Sequence, residues 1–207
     1  MVLPMHHVEP SSWIAFATIA LVGAITPGPN NTLVLALAAE RGLPGALPAI
    51  GGVVAGSVAM LALVMLGFDA ALEAYPPLRA AMGIGGGAYL VALGLLLALR
   101  GPAVRAAGGP TFDMPRTAAA LFLFQFANPK GWAVMSAAVS ALPSGLGIQA
   151  KLALALALAA VCAACLLAWS AAGSFLALHL ENERNAAWFH GAMGVSLVLI
   201  GAQMVLS

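Results

Sequence analysis

Lys130 stands in Asn128-Pro129-Lys130-Gly131, inside an otherwise apolar run, and is the one Lys, Arg, Asp or Glu expected deep within such a run. An ammonium placed there in a bilayer costs about a few kcal/mol or more, and its default reading is functional. Gln125 lies one turn earlier. A second interruption, Thr26-Pro27-Gly28-Pro29-Asn30-Asn31, divides an apolar run near the start of the chain. Prolines at 27 and 29 remove two amide donors and disfavour helical geometry at Thr26 and Gly28. The spacing predicts a half-helix ending near Ile25, an unwound turn, and a second half-helix starting near Pro29. A helix N-terminus carries unpaired amides and partial positive charge, suited to a carboxylate. Thr26, Asn30 and Asn31 add a hydroxyl and two carboxamides, so amino and carboxylate groups can be recognised together. The plain alternative is a proline kink whose asparagines cap freed backbone groups. For Lys130 three partners are open: freed carbonyls, water in a cavity, or a substrate carboxylate. The competing assignment is an ammonium that caps its own broken helix, and Lys130 is also a candidate proton carrier.

Such breaks need particular surroundings. Hydrophobic residues make up 62% of the 207-residue chain and charged residues only 7%, against roughly 25% in soluble domains. Mean hydropathy is +1.01, so the solvent is a membrane. Inside a bilayer, freed backbone survives only when buried in protein or lining a wet cavity. Two interruptions, one in each half, point to a transporter's substrate site. A net charge of +1 supplies no basic face for nucleic acid.

Each span needs about 20 apolar residues, and six are expected: Ser12–Ala39, Pro44–Phe68, Leu78–Leu99, Thr117–Leu142, Leu152–Leu178 and Ala187–Leu206. The N-terminus has no Lys or Arg before the first span, unlike a signal peptide's n-region, so that span is kept as mature. The expected fold is an all-α membrane protein, a single transmembrane domain over 1–207. It divides into a first repeat of about 12–99, a flexible Pro/Gly-rich loop at 100–116 and a second repeat of about 117–206. Three spans per half make a 3+3 inverted repeat with broken first and fourth helices. A faint internal match agrees, since Gly87 to Gly94 and Gly194 to Gly201 both read G-x-x-L-V-x-x-G. Arg41, Arg100, Arg105, Arg116 and Arg184 fall in loops on one side, and Arg79 and Lys151 on the other. The positive-inside rule makes the first set cytoplasmic and puts both termini outside. Gly52-x-x-x-Gly56 and Gly83-x-x-x-Gly87 offer close-approach faces, while Trp13, Trp169 and Trp188 read as interface anchors.

Other chemistry is sparse. Ser57, Tyr89, Ser136, Ser140, Ser170, Ser174, Ser196 and Gln203 face the interior or bond back to their own turns. His179 and His190 are expected near the surface beside the last loop, outside any metal-ligand pattern. No triad, nucleotide loop or cofactor motif appears, and an enzyme is not indicated. Cys162 and Cys165 in mid-helix read as small buried hydrophobes. Two alternatives remain: a membrane thiol–disulfide carrier using these cysteines, and a heavy-metal or inorganic-ion exporter.

Through Thr26-Pro27-Gly28-Pro29-Asn30 and Asn128-Pro129-Lys130 the chain resembles the LysE/RhtB family of bacterial amino-acid exporters. The glycine-rich second span and Gly87-Ala88-Tyr89-Leu90 in the third support the likeness, which covers the first two-thirds of the chain. The resemblance implies export of amino acids or related metabolites across the bacterial cytoplasmic (inner) membrane, proton-driven, without ATP or cofactor. It places functional weight on Pro27, Gly28, Pro29, Asn30, Asn128, Pro129 and Lys130. Gly131-Trp132 departs from the family's pattern, and Trp132 is expected to narrow the cavity. Substrate identity and any homo-oligomer are left open.

Overall fold

The computed structural model describes residues 9–99, 118–178 and 183–206. All regular structure among them is α-helical: α1 (Pro10–Ile25), α2 (Pro29–Met65), α3 (Phe68–Ala74), α4 (Pro76–Leu99), α5 (Ala118–Ala127), α6 (Pro129–Ser140), α7 (Ile148–Ala177) and α8 (Glu183–Leu206). The expected loop at 100–116, His179 and the start of the turn before the last span lie outside the described residues.

Both interruptions fall where the prolines put them. Pro29 and Pro129 each open a helix, at the position where a missing amide costs nothing because no intrahelical acceptor waits for it. α2 holds 37 residues, about 55 Å if straight, nearly twice the ~30 Å hydrocarbon thickness of a bilayer. Gly42 resolves the mismatch. Its φ of 70° and ψ of 172° lie in a region essentially reserved for glycine, and they split α2 into stretches 29–41 and 43–65. Glu40 and Arg41, expected in a loop, therefore end a helical stretch. Lys151, expected in a turn, lies inside α7. Pro29–Met65, Pro76–Ala98, Ile148–Ala177 and Ala187–Leu206 are long and apolar enough to cross a membrane, whereas Pro10–Ile25 and Ala118–Ala127 are apolar but short.

The stretch 29–41 is the hub, with every side chain from Asn31 to Ala38 buried. One core gathers Leu33 and Leu37 of this stretch, Leu90 and Leu93 of α4, Phe124 of α5, Leu166 of α7 and Leu197 of α8. A second gathers Phe16 of α1, Met60 of α2, Met135 of α6, and Leu158 and Cys162 of α7.

α4 and α8 pack through the two matched glycine segments. A methyl at Gly87 would lie 2.5 Å from the Gly201 carbonyl oxygen, and one at Gly94 would lie 2.5 Å from that of Gly194. The reciprocal contacts are equally close, so the pair runs antiparallel with backbones in contact. Leu90 and Leu197, the central leucines of the two segments, are both fully buried. The two expected small-residue faces are used as well, since Gly52 meets the Ala118 carbonyl of α5 and Gly83 that of Met204 in α8. Of the expected anchors, Trp188 is 75% exposed. Trp169 differs: it packs on the first core, and its indole nitrogen points to the Ile25 carbonyl oxygen at 3.4 Å. The end of α1 offers a carbonyl that no longer has a helical amide to serve.

Candidate functional site

The two interruptions meet. A cavity of ≈ 60 Å³ lies between the two cores, lined by Gly28, Pro29, Asn30 and Asn31 from the first break and by Gln125, Asn128, Lys130 and Gly131 from the second. Val53 and Ser57 of α2, Met135 of α6, and Cys162 and Leu166 of α7 close the remaining sides with Ala20, Gly23, Ala24 and Val134. Of the residues singled out from sequence, Pro27, Pro129 and the side chain of Thr26 do not line it.

Polar contacts cross between the breaks. Asn30 Nδ2 donates to Gln125 Oε1 at 3.0 Å, and Gln125 Nε2 donates back to Asn30 Oδ1 at 3.0 Å. Gln125 is 2% exposed, and its Nε2 also donates to the Leu121 carbonyl at 3.1 Å. Lys130 Nζ donates to the Thr26 carbonyl at 2.8 Å. Gly28 makes room for this ammonium, since a methyl there would lie 3.1 Å from Nζ.

The two asparagines of the first break divide the work. Asn31 Nδ2 donates to the carbonyls of Ala24 at 2.8 Å and Thr26 at 2.9 Å. It caps the end of α1, as the proline-kink alternative holds. Asn30 instead reaches the other break. The Thr26 hydroxyl, expected to face a ligand, donates to the Val22 carbonyl one turn earlier. Only the backbone carbonyl of Thr26 reaches the site. Trp132 does not narrow the cavity, because its indole donates to the Phe126 carbonyl at 2.8 Å and its ring packs on Phe68.

The electrostatics are unusual for a structural kink. Both helix N-termini at the cavity lack a side-chain cap. Pro29 and Pro129 carry no amide and Gly131 donates to the Asn128 carbonyl, which leaves the Asn30 and Asn31 amides of α2 and the Lys130 amide of α6 as donors. Lys130 is the second residue of α6. A cation in a first turn opposes the helix dipole, where an acidic residue would stabilise it. Thr26 O, at the negative end of α1, offsets part of that cost. Asn128 Oδ1 is buried without a hydrogen-bond partner, a costly state unless some ligand or water donates to it. The site thus offers an ammonium and free amides to an anion, and one unsatisfied acceptor to a cation or amine. Among the described residues no three His, Cys, Asp or Glu side chains gather as metal ligands would.

Cys162 and Met135 were not foreseen as cavity residues. Their helical register toward the breaks depends on packing that periodicity in a uniformly apolar helix does not reveal. Ser170, expected to face the interior or bond back to its own turn, does face the interior, with a hydroxyl that has no partner, and Ser174 points to the Ala38 carbonyl of α2 at 3.5 Å. Ser140 does bond its own turn, at Ser136 O. His190 is buried rather than superficial.

A family model described as LysE type translocator matches residues 21–207. An uncharacterized membrane protein of Pseudomonas aeruginosa is 33% identical over 112 residues, which is 51% of this chain and 52% of that protein. The match with this curated relative thus spans about half of its length. No solved structure matches.

Proposed function

The chain belongs to the LysE type translocator family, membrane exporters of small molecules, and on that premise we propose that it is a secondary exporter of amino acids or similar small zwitterions. The observation that carries this reading is Lys130 at the head of α6, in a cavity shared by both breaks. A substrate carboxylate supplies the negative charge that the first turn of α6 lacks. Two uncapped N-termini add amide donors around it, and Asn128 Oδ1 accepts from the substrate's amino group. At roughly 10–15 Å³ per water, the cavity of ≈ 60 Å³ holds about four to six water-sized groups. That matches the ammonium, Cα and carboxylate common to all amino acids.

The architecture that serves this function is six crossings in a 3+3 inverted repeat. α1 with stretch 29–41 makes one broken crossing, and α5 with α6 another. The antiparallel pairing of the two G-x-x-L-V-x-x-G segments supports a two-fold relation between the halves. Export is coupled to proton entry through the bacterial cytoplasmic membrane, with both termini outside. The two halves rock about the cavity as rigid bodies.

Efflux of radiolabelled amino acids from preloaded proteoliposomes tests the reading. Lys130→Ala is expected to abolish efflux of the compound that the unsubstituted protein exports while insertion and helix content are retained. Unchanged efflux in that variant removes Lys130 from the site and the argument with it.

A further inference from the structure

Glu40 and His190 lie away from the cavity, yet both are withdrawn from solvent. Their side chains are 5% and 11% exposed, and His190 Nε2 stands 3.9 Å from Glu40 Oε1. Glu40 lies in the last turn of stretch 29–41, and His190 belongs to α8, so the pair ties the first half of the chain to the last helix. An apolar pair of similar volume would pack there at less cost than a buried carboxylate facing an imidazole. The separation is about 0.9 Å longer than an ordinary N–H···O bond. A proton on Nε2 converts the contact into a charge-assisted bond, shorter and stronger. Protonation thus changes the length and strength of this one contact.

Among the described residues, few other titratable groups surround the pair. Arg41 follows Glu40 on α2. On α8, Arg184 lines an outward groove with Trp188 and Gly191, and Phe189 lies against the His190 ring. α7 meets this end of α2 through Gly173 and Ser174 and has no titratable side chain between 166 and 178. Tyr89 of α4 stacks on Phe124. α5 carries no titratable residue, and the one on α6, Lys130, is at the opposite end of the stretch.

We propose that Glu40 and His190 form the proton-binding site of the exporter, coupled to the cavity through the stretch between them. This rests on the reading of the chain as a proton-driven exporter and supplies the seat of its coupling ion. A proton from water on one side forms an N–H bond at His190 Nε2, with the Glu40 carboxylate as counter-charge. The same proton leaves to water on the other side, and no electrons move. Asn30 sits ten residues before Glu40, about 15 Å along one helix. That helix is held to the second half at one end by Gln125 and at the other by His190. Tightening or releasing the His190 end changes how the Asn30 end sits at the cavity.

Cys162 lines the cavity and reports its exposure without any substrate. In a Cys165→Ser background reconstituted in phosphatidylethanolamine/phosphatidylglycerol nanodiscs, the rate of modification by N-ethylmaleimide is measured from pH 5.5 to 8.0. Each rate is divided by that of Glu40→Gln at the same pH, which cancels the thiol's own titration. The ratio is expected to change at least fivefold across this range, to stay flat for His190→Asn, and to vary again in the exchange Glu40→His/His190→Glu. If a single variant does not insert, Glu40→Gln/His190→Gln, which keeps two amides in contact, serves as the proton-blind reference. A ratio constant within 1.5-fold for the background protein, or a folded exchange variant that stays flat, overturns the proposal. Because no transport is read, that result leaves the Lys130 efflux experiment to judge the exporter separately.

Discussion

Removing the Asn30–Gln125 bridge measures how firmly the two breaks are joined. Asn30→Ala deletes two 3.0 Å hydrogen bonds at once and leaves Gln125 Oε1, in a side chain 2% exposed, without its donor. Interhelical hydrogen bonds within membranes contribute ~0.6 kcal/mol each on average and up to ~1.7. The reciprocal pair should therefore couple the residues by about 1–3 kcal/mol. Orphaning a buried amide adds a penalty of about 1–3 kcal/mol to the single variant. Gln125→Leu keeps the side-chain volume and removes both bonds from the other side. The double variant Asn30→Ala/Gln125→Leu has no orphaned partner, so its loss should be smaller than the sum of the two single losses by about that coupling energy. Unfolding in mixed micelles by added dodecyl sulfate, followed by far-UV circular dichroism, supplies the four free energies. Losses that add within about 0.5 kcal/mol, the scatter expected of independent sites, would refute a bridge between the breaks.

Gly94→Ala is expected to destabilise the α4–α8 pair by about 1–3 kcal/mol in the same unfolding assay, because its methyl meets backbone that cannot rotate away; a loss below about 0.5 kcal/mol contradicts the contact. Cys162→Ala/Cys165→Ala should retain amino-acid efflux in proteoliposomes, since neither thiol supplies a donor the carboxylate needs. Loss of transport in that well-inserted variant would favour the thiol–disulfide reading instead.

Much of this protein is legible in the chain itself. Pro29 and Pro129 are favoured in the first turn of a helix, so breaks close to Ile25 and Ala127 follow from the missing amides and the restricted residues before proline. The membrane environment follows from composition, since 7% charged residues cannot cover a wetted surface. The matched glycine segments suggest an internal relation, and in the structure they lie against each other. What sequence does not decide is which way each polar side chain turns. Asn30 and Asn31 are neighbours of identical chemistry, but helical rotation of about 100° sends one to Gln125 and the other back to the end of α1. Thr26 reaches the site through its carbonyl because its hydroxyl is taken by its own turn. Glu40 and His190 are 150 positions apart and look like loop and surface residues. Only the packing of α8 against the centre of the molecule buries them together, because contacts between distant segments depend on the register of whole helices rather than on local pattern.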